Sequence, residues 1–136
     1  MENTLNADMF YVILNDEPLL EFDRKKPVPG HQRQYLDNMD SQMDQGIQLG
    51  DDFITTPNPL QRSQFVANSL INLLLKDEYS MAIAMCTYLA KRMPDLQQIK
   101  AQGSIDINDK ENPLSIELVF DRSYEKSQLE KPIKFH

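Results

Sequence analysis

The 136-residue chain holds one cysteine, four glycines and two histidines, and each scarcity removes a class of chemistry. A lone thiol, Cys86, cannot close an internal disulfide, which fits a reducing compartment. Its neighbours in "AIAMCTYLA" are apolar, so it is expected to be an unreactive core residue. Glycines at 30, 46, 50 and 103 are too scattered to build a phosphate-cradling loop, and no G-x-S-x-G elbow occurs. His31 stands beside a proline-rich stretch and His136 is the last residue; neither has a nucleophile or acid partner in sequence. No apolar run approaches the roughly 18 residues of a membrane span. The opening "MENTLNADMF" has acids and amides where a secretory leader has basic residues. Together these absences predict a cytoplasmic protein with no membrane segment, no metal, no cofactor and no catalytic residue.

Cations are also in short supply. Fourteen lysines and arginines face 21 carboxylates, a net charge of −7. Such a balance disfavours nucleic acid as a partner, because phosphate binding needs a lysine and arginine surface. From Gln34 to Gln61 there is no cation at all, while five aspartates, at 37, 40, 44, 51 and 52, fall in that stretch. A protein partner with a basic surface would be steered there, most strongly at low salt.

What is present is the pattern of a single α+β domain, 1–136, with a flexible segment 1–8 and a loosely held tail 122–136. "MFYVIL" from Met9 is short, β-branched and aromatic, and is expected to be a central buried strand. After the turn-forming "NDEP", "LLEF" at Leu19 to Phe22 can return as an edge strand limited by Pro18. "DRKKPVPG" is an extended connection.

Helical spacing begins near His31. Placing residues about 100° apart gathers Tyr35, Leu36, Met39, Met43 and Ile47 on one side, and Arg33, Asp37, Asp40, Asp44 and Gln48 on the other. Gly50, or Gly46 before it, is expected to end this helix. "DDFITTPNP" is an irregular connection; Asn58 caps and Pro59 opens a second helix running to about Lys76. Its core set is Leu60, Val66, Ala67, Leu70, Ile71, Leu73 and Leu74. Asp77 is the expected cap of a third helix that stops at Pro94, with Lys91 and Arg92 suited to its negative end. A twofold period follows, placing Ile99, Ala101, Gly103, Ile105 and Ile107 on one face, then Leu114, Ile116, Leu118 and Phe120 after the turn "NDKENP". The predicted architecture is three helices packed on one face of a small, mainly antiparallel sheet, in the order β(β)-ααα-ββ.

Two features stand out as candidate sites. Asp40 and Asp44 are one turn apart near the negative end of their helix, an arrangement that costs a few tenths of a kcal/mol and that nothing local requires. With Asp37, Asp51 and Asp52 they form the expected contact surface for a basic partner. Met39, Met43, Met81 and Met85 are expected to be core packing or to line an adaptable groove, since a thioether chain is flexible and polarizable. The leading expectation is a small binding or regulatory protein acting through protein contacts, with a homodimer as one form this can take. The competing reading is a small enzyme or ligand- or metal-binding domain using Asp37, Asp40, Asp44 and His31 in a cleft.

Overall fold

The computed structural model describes residues 9–28, 30–106, 108–124, 126 and 129. The segment 1–8, Ile107 and residues 130–136, which include His136 and part of the tail expected to be loose, lie outside the described residues. The elements are β1 (Met9–Leu14), β2 (Glu17–Asp23), α1 (Gly30–Met43), β3 (Ile47–Leu49), β4 (Asp52–Ile54), α2 (Pro59–Leu75), α3 (Tyr79–Arg92), β5 (Gln98–Gln102) and β6 (Ser115–Val119). The chain is thus a mixed α+β protein whose strands and helices follow roughly the expected order. It forms two compact units, one from residues 1–25 with 95–136 and one from residues 26–94.

In the sheet unit the strand order is β2-β1-β5-β6. β1 is an interior strand, paired antiparallel to β2 and parallel to β5, and β5 pairs antiparallel with β6. Phe10, Val12 and Ile13 of β1 are buried, as its unbroken apolar composition requires of an interior strand. The β1–β2 turn is made by Asn15 and Asp16, both with positive φ (49° and 70°). These residue types tolerate that conformation, which matches the right-handed twist of a hairpin. Pro18 lies on the edge strand opposite Ile13, beside a shift in register.

β5 is shorter than the twofold pattern implies. It ends at Gln102, and Ile105 sits in the following connection, 61% exposed. Alternation there marked a loop, because Gly103, at φ 131°, turns the chain out of the strand. Phe120, expected on the buried face, follows the end of β6 and is exposed. Of the tail, Tyr124, Lys126 and Leu129 have helical backbone, and the Tyr124 ring lies 4.9 Å from that of Tyr11.

In the helical unit α1 stops at Met43, earlier than a helix reaching Ile47. Gly46, with φ of 108°, takes the chain out, and Ile47 and Gln48 become β3. Gly50, at φ 59°, serves the turn between β3 and β4, so part of the "irregular" connection is a small hairpin. α2 begins as its sequence dictates. The Asn58 side chain accepts from the Gln61 N–H, the Gln61 side chain accepts from the Asn58 N–H, and Pro59 occupies the first turn. Leu60, expected in the core, is 46% exposed because it lies in that first turn, before the buried stripe of Val66, Ala67, Leu70, Ile71 and Leu74 begins.

Asp77 does not cap α3; it ends α2. Its own N–H donates to the Leu74 carbonyl, the Glu78 N–H donates to the Leu73 carbonyl, and Asp77 has φ of 59°. This is a Schellman termination with aspartate in the position usually held by glycine. α2 packs against α3 and β3. Polar residues inside the packing are satisfied locally: the Ser63 hydroxyl donates to the Pro59 carbonyl and the Thr87 hydroxyl to the Ile83 carbonyl.

Candidate functional site

The helical unit holds both features singled out in the sequence, and both lie along α1. One side of that helix carries Asp37, Asp40 and Asp44, and each is held by a cation of α2 or α3. Arg62 donates from its Nη1 to the Asp40 carboxylate at 3.2 Å and to the Asp40 backbone carbonyl at 3.0 Å, from its Nη2 to Asp44, and from its Nε to the Pro57 carbonyl at 3.2 Å. Arg92 donates to Asp37 at 2.5 Å, with its Nε 3.8 Å from the second Asp40 oxygen. The Tyr88 hydroxyl, also from α3, donates to Asp40 at 2.5 Å.

The repulsion between Asp40 and Asp44 is offset by one guanidinium that bridges them, and Asp37 and Asp40 share the second. Arginine suits this task because its donors are fixed in a planar fork. The hydrogen bond to Asp44 leads in raising the Arg62 pKa. Burial, followed by the bond to Asp40, pushes the Tyr88 hydroxyl far above its ordinary value, so it remains a protonated donor. Charge counting agrees: residues 26–94 hold seven carboxylates and six lysines or arginines, while the remaining residues hold fourteen and eight. The cation-free stretch of sequence is therefore not a cation-free region of the molecule. Asp51 and Asp52, by contrast, are exposed on the β3–β4 hairpin rather than on the helix.

The other side of α1 faces α3 across an apolar cleft. One depression of about 360 Å³ is lined by His31, Gln32, Tyr35 and Leu36 of α1 and by Ser80, Met81, Ile83, Ala84 and Thr87 of α3. A second, of about 290 Å³, shares Tyr35 and Met81 and adds Met39, Met43, Met85, Phe65 and Val66. All four candidate methionines thus meet in one place. Met39 and Met43 are buried as floor, and Met81, at 49% exposure, stands at the rim with Tyr35 and Ile83. Lining side chains that are not apolar are neutral amides and hydroxyls plus His31.

His31 lines the apolar cleft, whereas Asp40 lines a depression with Arg62, Tyr88, Arg92 and Met93, and Asp37 lines another with Val28, Arg33, Leu36, Lys91 and Arg92. Among the described residues, no three histidine, cysteine or carboxylate side chains come together to hold a metal ion. Cys86 is fully buried. No described helix is long and apolar enough to cross a membrane.

Sequence reasoning missed Arg62 and Tyr88. The available signal was that three aspartates on one helix face call for compensation, and only Arg62 interrupts the long cation-free stretch at its end. No protein family, curated protein or solved structure matches this chain.

Proposed function

We propose that this is a small cytoplasmic binding or regulatory protein that acts through protein contacts, and that its contact surface is the α1–α3 cleft with the carboxylate side of α1 as its brace. The observation that carries this reading is the grouping of exposed Tyr35, Met81 and Ile83 over a floor of buried Met39 and Met43. Large apolar side chains clustered at a concave surface with an uncharged rim are what a peptide or helix from a partner would cover. Methionine makes such a surface adaptable. Arg62, Arg92 and Tyr88 already occupy Asp37, Asp40 and Asp44, which favours a fixing role for these carboxylates over contact with a basic partner. Asp51 and Asp52, exposed on their hairpin, are the carboxylates left to steer such a partner.

The test compares two double variants in capture from native extract. Met81→Glu with Ile83→Glu puts charge into the cleft at exposed positions and is expected to abolish capture without unfolding the protein. Asp51→Asn with Asp52→Asn is expected to leave it within about twofold. Capture that survives the first pair and disappears with the second would move the surface to the hairpin and refute this reading. Light scattering at several concentrations distinguishes a second copy of the chain in the cleft from a different partner.

A further inference from the structure

Sulfur occurs in Cys86 and in seven methionines. A thiol is ordinarily the first of these groups to meet an oxidant, but Cys86 is fully buried. Met39 and Met43 are buried as well, at 8% and 4% exposure, and Met9, Met85 and Met93 are half-buried. Met81, at 49%, is the one exposed methionine among the described residues. Since oxidation of sulfur follows access, its thioether is the sulfur among them that lies most open to a peroxide.

Met81 also stands where a change of polarity affects the whole cleft. With Tyr35 it lines both depressions, so one side chain contributes to the apolar lining of each. The Thr87 and Ser69 hydroxyls, which belong to those linings, already donate to the Ile83 and Phe65 carbonyls of their own helices. A sulfoxide oxygen is polar and accepts hydrogen bonds. At Met81 it is hydrated while the cleft is open, and it loses that water under an apolar occupant. The penalty falls on binding rather than on folding, because the side chain is exposed until something covers it.

We propose that Met81 is a site of reversible oxidation by peroxides and that its sulfoxide closes the α1–α3 cleft to apolar partners. The regulatory half of this rests on the cleft being the contact surface. In the forward step the sulfur lone pair attacks one oxygen of hydrogen peroxide; an S–O bond forms and the O–O bond breaks. The other oxygen leaves as hydroxide and takes up the proton of the transferred oxygen to become water, so the sulfur is oxidised by two electrons and the peroxide reduced. A methionine sulfoxide reductase supplied with a dithiol reverses the change: the oxygen departs as water and the dithiol becomes a disulfide.

The experiment treats the full chain with hydrogen peroxide at neutral pH and follows oxygen addition at each methionine by peptide mass spectrometry. Nile red, a neutral apolar dye, then reports on the cleft by fluorescence titration. Met81 is expected to oxidise about tenfold faster than Met39 and Met43, and its oxidation to weaken dye binding about tenfold. Both methionine sulfoxide reductases with dithiothreitol should restore binding. Met81→Leu should make binding insensitive to peroxide, and Met81→Gln should weaken it without any oxidant. Equal oxidation rates at Met81, Met39 and Met43 would overturn the site. If Met81 oxidises first and binding is unchanged, while Met81→Glu with Ile83→Glu removes it, the cleft stands and the switch is overturned. If that double variant leaves dye binding intact, the cleft is not the apolar binding surface and the contact reading falls with the switch, whatever the oxidation rates.

Discussion

The Tyr88 hydroxyl donates to the Asp40 carboxylate at 2.5 Å across 48 positions of sequence, tying α3 to α1. Arg62 brings α2 to the same carboxylate. One aspartate therefore gathers all three helices, with both hydrogen bonds converging on its Oδ1. A carboxylate held this way orients α1, and the opposite side of α1, with Tyr35 and Met39, is consequently presented toward α3 as one wall of the cleft.

Tyr88 sets an alkaline limit on stability. Its folded pKa is raised, first by burial and then by Asp40, above an ordinary value of about 10. Below pH 10 the hydroxyl is protonated in both folded and unfolded chains, and its contribution is fully present. As pH rises past 10 the unfolded chain loses its proton first, so stability must fall until the folded hydroxyl ionises. Urea denaturation between pH 7 and 11 should show this decline. Tyr88→Phe should lower stability at pH 7 by about 1–2 kcal/mol through loss of a charge-assisted bond and should remove its share of the alkaline slope. Parallel slopes for the two proteins would rule the linkage out.

Arg62 is the more demanding test of the brace. Its side chain is 18% exposed and donates to two carboxylates and two carbonyls. Arg62→Met is expected to cost about 2 kcal/mol, because it leaves Asp40 and Asp44 close together without their shared cation. Arg62→Lys should recover less than half of that, since a single ammonium cannot reproduce the fork. Full recovery by lysine would show that net charge, not geometry, is what α1 needs. The midpoint of urea unfolding is the readout.

Local signals in the sequence were legible where one or two residues determine the backbone. Asn58 and Pro59 open α2, Pro94 follows the end of α3, and the β-branched run of β1 is an interior strand. The end of α1 was ambiguous because Gly46 and Gly50 both permit positive φ, and three-residue strands such as β3 and β4 are too short to express a period. At the site, periodicity put the aspartates on one face and the methionines near the other. It could not supply Arg62, 18 and 22 positions from its partners, or Arg92, 55 from Asp37. A helix pattern describes neighbours on one helix, whereas these pairs join different helices.

The capping box of α2 gives a local control on that account. Asn58 satisfies the Gln61 N–H at 2.8 Å and Gln61 returns the bond at 2.9 Å. Asn58→Ala should cost about 1 kcal/mol and Asn58→Asp should be close to neutral. Loss of the cap acts at the start of α2, so hydrogen exchange of the amides at Gln61 and Arg62 should quicken while those near Leu70 change little.

Gly103 separates backbone conformation from crowding in the sheet unit. It has φ of 131°, and a Cβ there would sit 2.5 Å from the Pro113 carbonyl oxygen, which belongs to backbone and cannot swing aside. Its N–H and carbonyl are both held by the Asn15 side chain, each at 2.9 Å, fastening the β1–β2 turn to the end of β5. Gly50 also has positive φ, 59°, but its Cβ would meet nothing within 4 Å. Gly103→Ala is therefore expected to destabilise by about 3 kcal/mol or more, and Gly50→Ala by only about 1 kcal/mol, the cost of left-handed backbone alone. Asn15→Ala removes two hydrogen bonds and puts alanine at a φ of 49°, which asparagine tolerates better, and should fall between them at about 2 kcal/mol. Thermal unfolding of the three variants checks the order. Equal losses for Gly103→Ala and Gly50→Ala would mean that the Pro113 backbone yields, and that the approach of the two chain segments at Gly103 is not what fixes the β5–β6 connection.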